Sequence, residues 1–236
     1  MSEEGVAAWG GRSIEFSVVR SERKTMSITV NPLGEVVVRV PDVANIEEVT
    51  ERVAKRGGWI SYHQRNAERW RPRTPARTYE VGETHLFLGR QYRLSAEIGL
   101  AQSVKTLGDR IVLTMHRPNR IEERKSLLDG WYLTQAREIF GNRLDKVFQP
   151  FAALNHARPR LIVRNLTHRW GSLTSRGNLV ISRHIVRAPR QCIDYVLVHE
   201  LCHLEYRNHG AEFWALLDRM MPDHQKRKAR LEKILL

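Results

Sequence analysis

The chain has 236 residues, 42% of them hydrophobic and 28% charged, with a formal net charge of +13. This length suits one domain or two closely packed lobes with a substantial core. No segment approaches the roughly 18 apolar residues of a membrane span, and the acidic first five residues do not form an apolar signal segment. We therefore exclude a membrane-spanning protein and expect a cytoplasmic one.

The N-terminal part predicts a β-rich lobe over residues 12–125, preceded by residues 1–11, which we expect to be frayed or disordered. The turn Asn31-Pro32-Leu33-Gly34 separates two segments in which polar and apolar side chains alternate, and a third such segment precedes them. Together the three segments predict an antiparallel meander of strands at 13–19, 25–30 and 35–40.

One helix is predicted in this lobe, from about Ile46 to Trp70. Gly57-Gly58 weakens its middle, and the prolines within residues 71–75 end it because proline excludes the helical conformation there. Short β-like segments follow at 79–81, 85–88, 92–94, 103–107 and 110–113.

After Ser126 the hydrophobic residues recur at the spacing of a helix, and we predict Ser126 to be its N-cap. Pro150 indicates that this helix ends or kinks near that position. A strand at 161–163 and a returning strand at 179–182 are predicted next. They precede a second apolar helix whose first turn suits Pro189. A short helix ending before Pro222 and a basic helical tail complete a second lobe over residues 126–236.

The second apolar helix carries His199-Glu200-Leu201-Cys202-His203. At about 100° per residue, His199 and His203 stand one turn apart on one face, so two imidazoles can hold one metal ion. Glu200 lies beside them, where its carboxylate can take a proton from a metal-bound water. This spacing predicts the ligands and the general base of a zinc hydrolase.

His209 is the candidate third ligand. A continuous helix would carry it roughly 15 Å along the axis from His199, so the helix must break between about Leu204 and Asn208. Asn208 tolerates the left-handed conformation and Gly210 adopts it freely, which predicts a C-cap and a turn there.

The two cysteines, Cys192 and Cys202, fall on this same predicted helix about 15 Å apart, so they cannot bridge each other. We interpret Cys202 as a small buried side chain, with a fourth ligand or a switch as the alternative.

The sequence resembles the YgjP-like metallopeptidase domain proteins, relatives of the SprT-like and WLM zincins. The resemblance rests on Arg169-Trp170-Gly171-Ser172, on the histidine segment and on Phe213-Trp214, and it covers nearly the whole chain. It implies an α+β, zincin-like fold in which an active-site helix lies against a small antiparallel sheet of the second lobe. It further implies that His199, His203 and His209 hold the metal and that Glu200 is the catalytic base. Leu173-Thr174 departs from the cysteine and serine usual in that family.

We therefore expect one Zn²⁺ ion, with other divalent metals possible, and hydrolysis of a peptide bond by a metal-bound water. Tyr206, His168 and Arg169 are candidates for stabilising the oxyanion by chain proximity only. An extended peptide is expected to pair with the strand at 179–182 if that strand is a sheet edge.

Two alternatives remain open from the sequence. Arginines concentrate between Arg158 and Arg190, which suits hydrolysis of a nucleoside triphosphate by the same metal centre. The net charge also permits weak nucleic-acid binding through a basic surface, as in a SprT-like protease recruited to DNA. The sequence indicates no oligomeric state.

Overall fold

The computed structural model describes residues 3–23, 25–31, 34–69, 77–166 and 169–235. The chain divides into two compact units, Met1–Thr74 and Pro75–Leu235. The boundary expected between residues 125 and 126 falls inside the second unit. The predicted helix end within residues 71–75 lies outside the described residues.

The first unit contains a four-stranded sheet of order β1-β2-β4-β3. Residues predicted to fray instead form a strand, because Gly10 and Gly11 adopt positive φ and turn the chain into an antiparallel hairpin. The predicted meander is wrong, since β2 and β4 are parallel neighbours. The strands are β1 (Glu3–Trp9), β2 (Arg12–Ser21), β3 (Ser27–Val30) and β4 (Val36–Pro41).

Two helices, α1 (Ile46–Lys55) and α2 (Gly57–Arg69), replace the single predicted helix. The side chain of Asn45 caps α1 by accepting the backbone N–H of Glu47 at 3.0 Å. The break falls where the Trp9 indole packs on Gly57, at which an added Cβ would lie 2.1 Å from Trp9 Cγ. Only glycine admits this contact, so the Gly-Gly pair has a packing role.

The second unit begins with another four-stranded sheet, of order β5-β6-β8-β7. As in the first sheet, the two outer pairs are antiparallel and the central pair is parallel. The last strand of each sheet leads into a helix that begins Ile-Glu-Glu, at Ile46 and at Ile121. The chain therefore repeats one ββββα topology. The strands are β5 (Thr84–Phe87), β6 (Arg90–Ile98), β7 (Ser103–Leu107) and β8 (Arg110–Met115).

Helix α3 (Ile121–Val147) is the long helix of the second unit, and α4 (Gln149–Ala152) follows it at the predicted kink. The N-cap is Arg120, so the prediction of Ser126 was wrong. Glu122 and Glu123 occupy the first turn, where their charges favour the helix N-terminus. The interior of the unit is built on the buried stripe of this helix, which includes Leu128, Tyr132, Ala136, Phe140 and Leu144.

A three-stranded sheet of order β10-β11-β9 and three further helices complete the unit. Strands β10 and β11 are antiparallel, but β11 and β9 are parallel, so the small sheet is mixed and not antiparallel as predicted. The elements are β9 (Arg160–Arg164), β10 (Gly171–Leu173), β11 (Asn178–Ser182), a 3-10 turn (Arg183–Arg187), α5 (Arg190–Cys202), α6 (Ala211–Met220) and α7 (His224–Leu235).

Helix α5 lies against β10, β11, α3, α6 and α7, which makes it the centre of the second unit. The predicted α+β class is confirmed. Within the described ranges, no helix combines the length and apolar character needed to cross a membrane.

The buried Asp194 of α5 ties this helix to two neighbours. Arg143 of α3 donates to it through Nε at 2.6 Å and Nη2 at 2.5 Å, and Arg227 of α7 lies 3.9 Å away. Replacing Asp194 with alanine leaves the partly buried guanidinium group of Arg143 without its carboxylate, whereas Arg227 keeps Asp223 at 2.9 Å. We therefore expect the free energy of unfolding to fall by about 2 to 4 kcal/mol, somewhat less than for a fully buried pair. Urea denaturation followed by circular dichroism measures this change.

Asp145→Ala is the matched control. Asp145 accepts from Arg158 Nε at the same 2.6 Å, but both side chains are 42% or more exposed. An exposed ion pair contributes about 0 to 1 kcal/mol because water screens it. Equal losses in the two variants would contradict the importance of burial for the Asp194 cluster.

Candidate metal centre

The turn between β5 and β6 fixes the start of helix α5. Leu88 N–H donates to Val186 O at 2.9 Å, and Gly89 N–H donates to Arg187 O at 2.8 Å. Gly89 has φ +80° and approaches Pro189 so closely that an added Cβ would lie 2.5 Å from Pro189 Cγ. Pro189 was predicted to lie in the first turn of this helix, but it is the N-cap, and α5 begins one residue later at Arg190. The helix that carries the histidines is thus anchored at its beginning.

Three imidazoles converge at the other end of this helix. His199 lies in its last turn, His203 caps it, and His209 lies in the loop that follows. Their candidate ligand atoms all lie within 4.8 Å of one another, and Nε2 of His199 is 3.0 Å from Nε2 of His209. The structure therefore brings together the three side chains that the sequence selected.

The helix ends before His209, as predicted, but it ends before Leu204 and through different hydrogen bonds. Helix α5 ends at Cys202, and N–H groups of the next residues bond three positions back, His203 to Glu200 O at 3.3 Å and Leu204 to Leu201 O at 2.9 Å. These bonds tighten the last turn in the manner of a 3-10 helix. The predicted left-handed cap is wrong, since Gly210 has φ −76° and Asn208 is not among the positive-φ residues.

A backbone carbonyl orients His203. Nδ1 of this ring lies 2.8 Å from the carbonyl oxygen of Tyr206, which only accepts, so Nδ1 carries the hydrogen and Nε2 keeps its lone pair. Hydrogen bonds of this kind fix the tautomer of metal-binding histidines. Tyr206, a candidate for stabilising the oxyanion, therefore contributes to the site through its backbone carbonyl group, which orients His203.

Helix α6 supports all three imidazoles through Phe213, which is fully buried. Its ring centroid lies 5.0 Å from that of His199, 4.7 Å from His203 and 4.5 Å from His209. The next residue, Trp214, donates from Nε1 to the carbonyl oxygen of His209 at 3.1 Å. These two aromatic residues hold the loop that brings His209 back to the helix.

Glu200 lies on α5 beside β10 and is only 7% exposed. An added Cβ at Gly171 would lie 2.9 Å from Glu200 Cγ and 3.0 Å from Glu200 Oε1. Contacts this short require one side to move, so the absence of a side chain at Gly171 makes the space that the carboxylate occupies. The motif Trp170-Gly171-Ser172 was singled out by resemblance alone, and this contact gives its glycine a physical role.

Burial raises the pKa of Glu200 to about 7, against opposing effects of the Leu173 backbone N–H and the Arg169 charge. Burial also lowers the pKa of His199 to about 3, with smaller contributions from His209 and His203. The pKa of His209 is lowered by burial as well. The lowered pKa values of His199 and His209 favour the neutral imidazole, which is the form that binds metal.

The donor set fits a divalent cation. Three imidazole nitrogens that converge from the end of a helix and the loop after it match the ligand number and type of catalytic zinc sites. Of the oxyanion candidates, Arg169 is near enough to lower the pKa of Glu200. His168 lies outside the described residues.

The support of His209 by Trp214 leads to a prediction about metal affinity. In Trp214→Phe the ring remains but the donor to His209 O is lost, so we expect zinc affinity to fall by about tenfold, as is typical for removing such a support. Competition with a chromogenic chelator measures the affinity, and Trp59→Phe in the first unit is the control. Unchanged affinity in Trp214→Phe would show that Phe213 alone holds the loop.

The fold and the site define a metal-dependent hydrolase: a histidine and a glutamate in the last turn of one helix, a second histidine at its C-cap, and a third histidine in the loop that follows. The chain belongs to the YgjP-like metallopeptidase domain family, whose model matches residues 24–234. The resemblance seen in the sequence is thus confirmed.

A comparison with solved structures finds the metallopeptidase zymogen of Methanocaldococcus jannaschii jannalysin. The two proteins share 14% sequence identity, with a TM-score of 0.36, over 41% of this chain and 97% of that one. No curated protein matches the chain significantly.

Proposed function

We propose that the protein is a zinc-dependent peptidase in which His199, His203 and His209 hold the ion and Glu200 is the general base. The observation that carries this proposal is the convergence of three imidazoles beside a buried carboxylate on the same helix. Such a combination supplies ligands and base in one place.

When bound, zinc lowers the pKa of a water molecule and polarises the carbonyl of the scissile bond. Glu200 accepts a proton from the water that attacks the carbonyl carbon, and later gives it to the amine nitrogen as the C–N bond breaks. Gly171 leaves room for the carboxylate, and the Leu173 N–H faces it. These residues keep the base in one orientation throughout the reaction.

The substrate peptide is proposed to pair with β10. Strand β11 is the central strand of its sheet, so the condition for a peptide on residues 179–182, that they form a sheet edge, is not met. Strand β10 is at the edge and has β11 on one side, while its Gly171 and Leu173 contact the general base. An extended peptide added to this edge would form main-chain hydrogen bonds next to Glu200.

The arginines that favoured a nucleotide substrate have partners within the fold. Arg158 pairs with Asp145 at 2.6 Å, Arg183 pairs with Asp129 at 3.4 Å, and Arg187 lies over the Tyr132 ring at 5.3 Å. These roles account for part of the arginine cluster without a polyphosphate. A peptide is therefore the better supported substrate class.

Purified protein, depleted of metal and reconstituted with zinc, tests the proposal on a library of fluorogenic peptides and on the four nucleoside triphosphates. We expect zinc-dependent peptide cleavage that is lost on chelation, and no release of phosphate or pyrophosphate. Zinc-dependent release from a nucleotide without peptide cleavage would replace peptidase activity with nucleotide hydrolysis at the same site.

A further inference from the structure

The first unit contains a basic groove with an aromatic wall, which no part of the proposed peptidase mechanism uses. It has a volume of about 640 Å³ and lies between the start of β3 and the junction of α1 and α2. Its apolar lining is Met26, Ile28 and Trp59, and its charged lining is Arg52, Lys55 and Arg56. Among the described residues that line it, none is acidic.

The groove cations are available to a ligand. Arg52 and Arg56 have no ion-pair partner among the described residues, and Lys55 has only a 3.8 Å contact with Glu51, in which both side chains are more than 70% exposed. Such an exposed pair is weak and is easily exchanged for a stronger anion. Arg52 and Lys55 lie in the last turn of α1 and Arg56 is its C-cap, so the three charges add on one side of the groove.

Trp59 supplies a different kind of contact. The indole remains 41% exposed although His63 packs against it with ring centroids 4.4 Å apart. An exposed tryptophan beside unpaired arginines is the combination by which proteins stack bases and hold the phosphates between them. A solvent-exposed helix surface without a binding role would account for the cations but not for the exposed indole.

We propose that this groove binds single-stranded nucleic acid, with phosphates on Arg52, Lys55 and Arg56 and a base stacked on Trp59. A duplex keeps its bases stacked inside and cannot offer one to the indole. An acidic peptide would satisfy the cations but gains nothing specific from Trp59. The proposal concerns the first unit alone and does not depend on the metal centre.

The full chain, freed of metal, is titrated into a fluorescently labelled oligothymidylate of about 12 nucleotides, and anisotropy reports binding. In Arg52→Gln/Arg56→Gln we expect affinity to fall at least about tenfold, and the slope of log affinity against log salt to decrease by about 1.4 because two phosphate contacts are lost. Trp59→Leu is expected to lower affinity by about tenfold through lost stacking.

Lys105→Gln/Arg137→Gln is the matched control, because it removes the same charge from two exposed positions of the second unit. We expect its affinity to stay within about twofold of the parent, since the groove is intact. An equal loss in both double variants would overturn the proposal and leave only attraction by net charge. Equal binding of duplex DNA, or displacement of the oligonucleotide by poly-glutamate at equal concentration, would also overturn it.

Discussion

Replacing Glu200 with glutamine is expected to lower kcat for peptide hydrolysis by about 10³-fold, the middle of the range for losing a general base. Glutamine has nearly the same shape, so it fits the space beside Gly171 but cannot accept the proton of the attacking water. The three imidazoles are unchanged, and zinc should therefore stay bound. The expected result is an inactive protein with a full metal site.

The measurement combines kcat from a fluorogenic peptide with metal content by atomic emission. Glu212→Gln is the control: this exposed carboxylate lies in the first turn of α6, next to Phe213 in sequence, and takes no part in the site. We expect its kcat to remain within about twofold of the parent, as for an ordinary surface change. A Glu200→Gln protein that keeps both zinc and full activity would contradict the role of this residue as base.

The convergence of the three histidines could be predicted from sequence because the constraints on it are local. The spacing of His199 and His203 follows from the geometry of a single helix, and the need for a break before His209 follows from the same geometry. The form of the break could not be predicted. The turn is made by 3-10 bonds and by the Tyr206 carbonyl, and these depend on how Phe213 and Trp214 pack from the next helix.

The sheet topology was the part of the fold that could least be predicted from the sequence. Alternating side chains identify β2, β3 and β4 as strands, but they do not say which strands are neighbours. The parallel pairing of β2 with β4, and likewise of β6 with β8, joins strands that are not consecutive in the chain. Pairing of this kind is decided by tertiary packing, so the shared ββββα topology of the two units appeared only in the structure.

Gly171 shows why the role proposed for a residue cannot always be predicted from the sequence. The motif was visible in the sequence, but a glycine has no side chain from which a chemical role could be predicted. The φ angle of Gly171 is also outside the left-handed region, which is the usual reason why a position requires glycine. The reason lies on other elements. An added Cβ would be 2.9 Å from Cγ and 3.0 Å from Oε1 of Glu200 on α5, and 2.9 Å from Cδ1 of Ile181 on β11, which is the flexible end of its side chain. Such a requirement for empty space can be read only from coordinates.

Gly171→Ala is therefore expected to lower kcat by about 100-fold, since displacing a catalytic group by as little as about 1 Å has an effect of this size. The added methyl group pushes Glu200 away from the position that Gly171 and the Leu173 N–H define, while the histidines keep their contacts. Zinc affinity and KM should change little, which separates loss of positioning from unfolding. Steady-state kinetics and chelator competition on the same preparation measure all three quantities.

Gly141→Ala makes the same chemical change in helix α3 at a position where an added Cβ has nothing within 4 Å. Its kcat should match the parent. The decisive comparison is Gly171→Ala in the Glu200→Gln background, where we expect no further loss of kcat because Gly171 acts only through the carboxylate. If the two losses multiply instead, Gly171 affects the reaction by a route that does not pass through Glu200.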